Sequence, residues 1–384
     1  MMQYRKFGKT GKMISALGFG CMRLPEFEKD GKWYIDEEKT IPMLHKAFEE
    51  GVNYFDTAHG YCHDNSQYTL GRAMKSIKRE DVMIATKIPL WGVTKTEEFR
   101  EILEEQLRRL DMPYIDFYHF HGLNKGSMDD KVLKLGLMKE ARKALDEGLI
   151  KHISFSFHGD GKDMPYIIEQ GEIFSSVLLQ YNLLDRWSEE AIAYLANAGV
   201  GVVVMGPVAG GRLAAPSSLA DRLFGDKNPE TAELAIRFVL GNPNVSCALS
   251  GMGSMQMLEQ NLKAGNMEVP MTAEDFEKAN RLMVDLKKFS DLYCTGCDYC
   301  KPCSQDINIP HIFDIYTHYN VYGMTALAKD MYNKVATGHK NWDGKLLSEP
   351  VSKCVECEAC EAKCPQNIKI IEKLKEVDKV LAGL

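Results

Sequence analysis

Residues 97–121 read EEFREILEEQLRRLDMPYIDFYHFH, and this stretch carries the pattern that decides the fold. Its first part, Glu97–Leu110, places apolar residues at the spacing of an amphipathic helix. Its last part, Ile115–His121, is a run of β-branched and aromatic residues typical of a buried strand. The stretch therefore predicts one helix followed by one strand.

The same alternation recurs through the first 285 residues. Eight runs have the length and composition of buried strands: Ser15–Gly20, Val52–Ala58, Val82–Lys87, Ile115–His121, His152–Phe157, Ser176–Tyr181, Val200–Met205 and Val245–Ser250. Gly51, Gly148 and Gly199 stand where the intervening helices would end. Repeated β-α units build parallel sheets, and eight of them predict a closed (β/α)8 TIM barrel of the α/β class.

An open doubly wound sheet is the alternative fold. Its nearest dinucleotide fingerprint, Gly18-Phe19-Gly20, lacks the third glycine and a helix directly after it. The barrel is therefore the better prediction.

Composition narrows the class of protein further. The chain has 384 residues, of which 45% are hydrophobic and 26% charged, and a net charge of −7. This excludes a disordered chain, and the acidity argues against a nucleic-acid-binding face. No run approaches the ~18 consecutive apolar residues of a membrane span, and residues 1–13 lack the apolar core of a signal peptide. We expect a cytoplasmic protein without nucleic-acid or membrane partners.

Cysteine usage divides the chain in two. Of the 11 cysteines, only Cys21, Cys62 and Cys247 precede residue 290. The other eight form two groups: Cys294, Cys297, Cys300 and Cys303, then Cys354, Cys357, Cys360 and Cys364. Residues 286–384 also balance 13 lysines against 13 acidic residues, so the preceding part carries the whole −7. We predict two domains, residues 1–288 and residues 289–384.

Four side chains stand at or just after the ends of consecutive predicted strands, where barrel enzymes carry their chemistry. They are Asp56, Tyr61, Lys87 and His121. Each alone has an ordinary explanation: a turn cap, loop packing, a solvated lysine or a core histidine. Together they suit carbonyl reduction, because the alkoxide formed by hydride transfer needs a proton donor. Tyr61 would donate, Lys87 would stabilise its anion, Asp56 would hold the lysine, and His121 would orient the carbonyl and share the proton relay.

The chain resembles the aldo/keto reductases in three motifs that occur in the family's order. They are Phe55-Asp56-Thr57-Ala58-His59-Gly60-Tyr61, Ala85-Thr86-Lys87 and Tyr114-Ile115-Asp116-Phe117-Tyr118-His119-Phe120-His121. The resemblance implies a nicotinamide cofactor, NAD(P)H, across the barrel mouth.

The resemblance also assigns candidate cofactor-binding residues. Ser156 matches the position that contacts the carboxamide, and Gln180 lies two residues after Leu178, which occupies the position of the family's usual glutamine. The other assigned residues are Gly206, Gly210, Gly251, Gly253, Ser254 and Asn261. The basic residues that many relatives use for a 2′-phosphate would fall at Gly251 and Met257, so NADH and NADPH both stay open.

Loop residues would shape the substrate site. The segment Met22–Glu38 carries Phe27, Trp33 and Tyr34, and the loop after the third strand carries Trp91. These rings either line the substrate pocket or pack on each other.

The second cysteine group, Cys-x2-Cys-x2-Cys-x3-Cys-Pro, has the bacterial ferredoxin spacing. Zinc is the alternative, but it is usually held by two separated cysteine pairs. The first group has a shorter final gap, with Ser304 where proline usually follows, and resembles the ferredoxin-like tail of some aldo/keto reductases. We therefore expect a small α-helical ferredoxin-like iron-sulfur domain with two 4Fe–4S clusters, and a helical stretch, Ile312–Lys334, between the groups.

In ferredoxins the fourth cysteine of each run ligates the neighbouring cluster. The rule assigns Cys294, Cys297, Cys300 and Cys364 to one cluster. It assigns Cys354, Cys357, Cys360 and Cys303 to the other.

The predicted function is reduction of an aldehyde or ketone to an alcohol, or the reverse, with NAD(P)H. Nicotinamides move electron pairs whereas clusters pass single electrons. The clusters would therefore be structural, or would exchange electrons with a ferredoxin or flavoprotein carrier, a second partner beside the small carbonyl or alcohol substrate. The alternative is a cluster-fed electron-transfer protein or reductase whose nicotinamide site is weak or unused.

Overall fold

The computed structural model describes residues 1–158, 161–183, 185–209, 213, 231–288, 294, 300–320, 322–340, 346–364 and 368–383. The chain packs into two compact units. The first comprises Met1–Gly210 and Glu233–Ala273, and the second Gly211–Ala232 and Glu274–Leu384. The predicted domain limit between residues 288 and 289 stays a prediction.

The first unit is built around a closed barrel of eight strands, in which every neighbouring pair is parallel. In chain order the barrel strands are β3 Leu17–Gly20, β6 Tyr54–Asp56, β7 Met83–Pro89, β8 Ile115–Leu123, β9 Ile150–Phe157, β10 Phe174–Gln180, β11 Gly201–Met205 and β12 Cys247–Gly251. The TIM-barrel prediction is confirmed, and the open-sheet alternative is wrong because β12 pairs with β3 and β9 with β10.

Two β-hairpins lie outside the barrel sheet. One pairs β1 Tyr4–Lys6 with β2 Met13–Ser15. The other pairs β4 Glu26–Lys29 with β5 Lys32–Ile35, in the connection between β3 and the first helix. This second segment lies in the region predicted to be a loop, Met22–Glu38, and forms a hairpin instead.

Helices alternate with the barrel strands because their apolar faces cover the outside of the sheet. They are α1 Glu37–Glu49, α2 Ser66–Met74, α3 Glu98–Leu110, α4 Leu137–Asp146, α5 Met164–Gly171, α6 Glu189–Asn197, α7 Thr231–Gly241 and α8 Met255–Gly265. Gly51, Gly148 and Gly199 follow α1, α4 and α6 with left-handed φ values of 95°, 78° and 77°, as the predicted helix stops require.

Where the structure describes the second unit, its regular secondary structure is mostly α-helical. Its helices are α9 Ala273–Lys288, α10 Ile309–Asn320, α11 Thr325–Ala336 and α12 Ile370–Leu381. Apolar residues of α10, α11 and α12, among them Ile312, Tyr332 and Leu374, form one buried core.

The predicted single helical stretch Ile312–Lys334 is wrong in one respect, because it is two helices. Gly323 adopts a left-handed φ of 67° between them. The Met324 N–H donates to the His318 carbonyl at 2.8 Å, which closes the end of α10. A glycine in this conformation ends a helix at little steric cost.

No helix in the described ranges is long and apolar enough to cross a membrane.

Candidate active site and cysteine pocket

Three of the four predicted catalytic residues lie on neighbouring barrel strands. Asp56 ends β6, Lys87 lies in β7 and His121 in β8. Tyr54 and Ala85, two positions before Asp56 and Lys87, belong to the apolar core inside the barrel. Because alternate residues of a strand share a face, Asp56 and Lys87 also point into the barrel, one layer nearer its mouth.

The strands continue slightly beyond the predicted ends at Lys87 and His121. β7 extends to Pro89 and β8 to Leu123, and Pro89 pairs with His121. Both catalytic candidates are therefore held by sheet pairing rather than by loops.

Lys87 and Asp56 form a buried ion pair. The Lys87 Nζ lies 2.6 Å from Asp56 Oδ1 and also donates to the Thr57 carbonyl at 2.7 Å. The two side chains are only 1% and 2% exposed. Burial disfavours the ammonium, but the Asp56 charge and the interactions with Asp56 and Tyr61 outweigh this and raise the pKa of Lys87 above its ordinary value. The lysine therefore stays protonated.

Tyr61 lies in the loop after β6, with the Lys87 Nζ 4.8 Å from the centre of its ring. Burial raises the pKa of Tyr61 above its ordinary value, and the Lys87 charge partly offsets that rise. The phenol is thus protonated at neutral pH, and a cation lies beside it that would stabilise its anion.

His121 is held neutral. Burial and then the Lys87 charge lower the pKa of its imidazole to about 3. Its ring centre lies 6.3 Å from that of Tyr61 and 4.8 Å from that of Trp91. A neutral imidazole can donate one hydrogen bond to a carbonyl oxygen, so this environment favours the orienting part of the predicted role.

The loop aromatic residues were expected either to line the substrate pocket or to pack on each other, and the structure shows both arrangements near the site. Phe27 and Tyr34 stack on each other across the β4–β5 hairpin, with centroids 5.7 Å apart. Trp33 stacks on His63, whereas Trp91 contacts the predicted catalytic His121. Trp91 is therefore the aromatic residue best placed to touch a substrate.

The predicted carboxamide contacts lie at the ends of β9 and β10. The Ser156 hydroxyl accepts a hydrogen bond from the Gly122 N–H at 2.8 Å. Gln180 is partly exposed at the end of β10 and donates to Asp185, whereas Leu178 is buried in the barrel core. Gln180, not Leu178, is thus the polar group available at this strand end.

The predicted adenosine end of the site surrounds the start of α8. The Ser254 hydroxyl accepts from the Met257 N–H at 3.2 Å and caps this helix. Asn261 donates to the Ser250 hydroxyl at 3.0 Å, which ties α8 to the end of β12. Met257 is exposed, as a residue facing a ligand or solvent would be.

Glycines open the surface beside this helix. A Cβ on Gly251 would lie 3.5 Å from the Arg23 side chain, and one on Gly253 would lie 3.3 Å from the Arg23 carbonyl oxygen. Gly206 has a left-handed φ of 64°, and its carbonyl accepts from Asn182 at 3.0 Å. Gly210 lies outside the described residues.

The site has polar atoms left over for a ligand. Among the described residues, the buried Asp56 Oδ2 and His121 Nδ1 have no hydrogen-bond partner. Orphaned buried polar atoms are uncommon in folded proteins and often mark functional sites. The pocket end of the barrel therefore fits a polar ligand and a nicotinamide-type cofactor.

Several residues that position the site were missed from the sequence. Gln106 is fully buried and donates to the Lys87 carbonyl at 2.8 Å, and Gln67 donates to the Thr86 hydroxyl at 2.8 Å. The signal for Gln106 was its place on the apolar face of α3, in register with Leu103 and Leu110.

Cysteines from both groups line one pocket of about 100 Å³ in the second unit. They are Cys300, Cys303, Cys354, Cys357 and Cys360. Cys294 and Cys364 pack against the same helical core, and Cys297 lies outside the described residues. In the part of the chain that is described, no three His, Cys, Asp or Glu side chains already converge on one metal position.

Soft thiolates are the ligands that iron-sulfur clusters use. Cys303 lines the pocket with all three cysteines assigned to its predicted cluster, and Cys300, assigned to the other cluster, lines it as well. The donor set therefore fits that cluster.

Comparison with known proteins gives two family matches. Residues 16–283 match the model of the aldo/keto reductase family. Residues 293–368 match that of the 4Fe-4S dicluster domain.

Curated relatives resemble the barrel part of the chain. An uncharacterized oxidoreductase of Bacillus subtilis (strain 168) is 26% identical over 298 residues, covering 69% of this chain and 92% of that protein. L-galactose dehydrogenase of Arabidopsis thaliana is 28% identical over 290 residues, covering 68% and 88%.

Solved structures agree on the fold. The holo form of an aldo-keto reductase from Bacillus halodurans superposes with a TM-score of 0.63 at 27% identity, covering 73% of this chain and 96% of that one. A Klebsiella pneumoniae aldo-keto reductase solved with NADPH gives a TM-score of 0.63 at 22% identity, covering 74% and 95%, which shows the fold alone.

Proposed function

The chain belongs to the aldo/keto reductase family of oxidoreductases and carries a C-terminal 4Fe-4S domain, and from this premise we propose that its barrel interconverts a carbonyl compound and an alcohol with NAD(P)H. The observation that carries the proposal is the buried Lys87 ammonium, which lies against both the Asp56 carboxylate and the Tyr61 ring.

A bound nicotinamide would supply or accept the hydride. Tyr61 gives its phenolic proton to the substrate oxygen as negative charge develops there. The Lys87 ammonium stabilises the phenolate left behind, and Asp56 fixes the lysine at 2.6 Å. The neutral His121 donates a hydrogen bond that orients the carbonyl. In the alcohol-to-carbonyl direction the same groups act in reverse.

Ser156 and Gln180 would hold the nicotinamide carboxamide, and Gly206 and Gly210 would cover the pyrophosphate. Gly251, Gly253, Ser254 and Asn261 would receive the adenosine end, where the N-terminus of α8 suits a phosphate. Because Gly251 and Met257 bear no charge, NADH and NADPH both stay open as the cofactor.

We propose two 4Fe–4S clusters in a domain spanning residues 289–384. Cys303 with Cys354, Cys357 and Cys360 would ligate one cluster; these four share a pocket with Cys300, which supports ligation by cysteines of both groups. Cys294, Cys297, Cys300 and Cys364 would ligate the other. The clusters would supply single-electron transfer to a ferredoxin or flavoprotein carrier.

The substrate class we propose is a small carbonyl compound or alcohol. The name of the Arabidopsis relative states dehydrogenation of a sugar, L-galactose, which supports a polar alcohol as one class to screen.

The decisive test is Tyr61→Phe in anaerobically prepared holoprotein, screened with carbonyl compounds and alcohols by NAD(P)H absorbance. We expect turnover to fall by about 10²–10⁴, the usual contribution of a general acid, with nicotinamide affinity unchanged. Tyr194→Phe, an exposed tyrosine on α6, is the matched control and should keep full turnover. Unchanged turnover in Tyr61→Phe would reject the proton-donor role.

A second variant separates the cluster-fed alternative. Cys360→Ser should lower iron and sulfide content to about half if two clusters are present, whereas Cys62→Ser, a buried cysteine of the barrel, should leave both unchanged. If NAD(P)H-dependent turnover survives the cluster loss, the clusters are not on the catalytic path. If the wild-type holoprotein binds no nicotinamide, the cluster-fed alternative replaces the proposal.

A further inference from the structure

The loop that carries Tyr61 has an unusual backbone. Gly60 has a φ of 87°, and Cys62, His63 and Asp64 have φ values of 51°, 50° and 69°. Left-handed conformations cost a non-glycine residue about 1 kcal/mol or more each. Three in succession directly after Tyr61 persist only if surrounding contacts hold the loop in this shape.

Some of those contacts are local. The Gly60 N–H donates to Asp64 Oδ1 at 2.9 Å, and Asp64 lies 3.4 Å from an Arg109 guanidinium nitrogen on α3. Asn65 donates through Nδ2 to the Cys62 carbonyl at 3.1 Å. These bonds close the loop on itself and tie one side of it to α3.

The Cys62 thiol also donates to the carbonyls of Cys21 and Met22, at 3.5 and 3.6 Å. A further set of contacts comes from the β4–β5 hairpin, residues 26–35. The Trp33 and His63 rings stack with centroids 5.1 Å apart and planes at 12°. His63 Nδ1 lies 2.9 Å from Glu26 Oε1, and Asn65 Nδ2 donates to the Trp33 carbonyl at 3.0 Å. Glu26 and Trp33 lie on opposite strands of the hairpin, so both strands hold the loop.

These hairpin contacts lie at the surface. The Trp33 residue is 42% exposed, and the His63 side chain 56% exposed. Exposed ion pairs and half-exposed rings add little to global stability. Their effect is local, because they hold His63 and Asn65, two and four residues after Tyr61 in the chain.

We propose that the β4–β5 hairpin is a positioning element for Tyr61, and that it acts through the Trp33–His63 stack and the Glu26–His63 pair. The inference rests on the proposed function, because it assigns the hairpin to the proton-donating step. Trp33 and His63 are positioning residues: they set where the phenol lies relative to Lys87 and the substrate oxygen.

The test compares Trp33→Ala with His63→Asn in the full-length holoprotein. Asparagine tolerates the left-handed conformation better than most residues, so His63→Asn removes the ring contacts with little added strain. Amide hydrogen exchange of residues 58–66 is the readout that needs no turnover, and we expect faster exchange in both variants.

In turnover assays we expect kcat to fall by about tenfold in each variant, since small displacements of a catalytic group are costly. The dissociation constant for NAD(P)H should not change. The double variant should fall no further than His63→Asn alone, because that substitution already removes the ring stack that Trp33→Ala removes, together with the Glu26 pair. Trp33→Phe keeps an aromatic ring that can stack on His63, so this variant should retain most of the wild-type kcat.

Glu28→Gln is the matched control, since Glu28 pairs with Trp33 across the same hairpin and is exposed. It should leave exchange and kcat unchanged. Unchanged exchange at residues 58–66 in Trp33→Ala and His63→Asn would overturn the inference whatever the enzyme's activity. Faster exchange with an unchanged kcat, or additive losses, would also overturn it. Absence of turnover in the wild-type protein would instead count against the proposed function. The exchange data would still decide whether the hairpin holds the loop.

Discussion

The buried pair of Lys87 and Asp56 predicts a large loss of stability when one partner is removed. At 2.6 Å and an effective dielectric constant of about 20, the attraction between the two charges is about 6 kcal/mol. Desolvation offsets much of this attraction, but Lys87→Met would leave the Asp56 carboxylate buried without a counter-ion. Removing one partner of such a pair costs about 3–5 kcal/mol.

The double variant Asp56→Asn/Lys87→Met removes both charges and keeps similar volumes. It should recover most of the lost stability, because no uncompensated charge remains. Catalytic turnover should be lost in the single and the double variant alike. The stability and activity effects of this pair are therefore separable.

The assay is thermal or urea unfolding of anaerobic holoprotein, followed at the transition of the barrel. At about 2–4 °C per kcal/mol for a unit of this size, Lys87→Met should lower Tm by roughly 10 °C. Lys75→Met is the control: its partner Asp111 lies at a similar 2.7 Å, but the side chains are 61% and 65% exposed, and we expect less than about 1 kcal/mol. A loss in Lys87→Met no larger than in Lys75→Met would refute the reasoning.

Three further predictions concern packing, pH and cofactor choice. Gly71→Ala should destabilise the barrel by about 2 kcal/mol or more in urea unfolding, because its Cβ would lie 2.3 Å from the Leu110 carbonyl oxygen. A Cβ on Gly92 meets nothing within 4 Å, so the control Gly92→Ala should leave the free energy of unfolding unchanged. Because His121 is neutral, kcat/KM for carbonyl reduction should show no acid-side break between about pH 5 and 8. His121 should also contribute stability above about pH 6.5 that is lost as pH falls toward its folded pKa of about 3. An activity break near pH 6.5 that disappears in His121→Asn would contradict this prediction. Met257→Arg should lower the dissociation constant of NADPH about tenfold and leave that of NADH unchanged, as measured by fluorescence titration. Equal effects on both cofactors would show that residue 257 does not face the 2′-phosphate.

The barrel was predictable because parallel strands covered on both faces are nearly continuous apolar runs, which stand out in a sequence. Asp56, Lys87 and His121 were predictable for a related reason: each is a polar residue at or near the end of such a run. Their proximity follows from strand order alone, since β6, β7 and β8 are neighbours.

The β4–β5 hairpin was not predicted, although a signal was present. Asp30-Gly31 is a hairpin turn dipeptide, and both residues adopt left-handed φ values of 53° and 72°. The strands on either side are mostly exposed, so they lack the apolar alternation that marks a half-buried strand. The left-handed loop after Tyr61 was equally hidden, since its conformation depends on contacts with residues far away in sequence.

The cysteine pocket has a consequence for how the chain matures. Cys303 and Cys354 are about 50 residues apart, and a cross-link closing a loop of that length lowers the entropy of the unfolded chain by the equivalent of about 4 kcal/mol. With the ligand sets proposed above, neither cluster can be completed from one contiguous segment, because each takes ligands from both groups. A nascent chain that ends before residue 360 therefore holds no complete site, and insertion of both clusters must wait until Cys364 has left the ribosome.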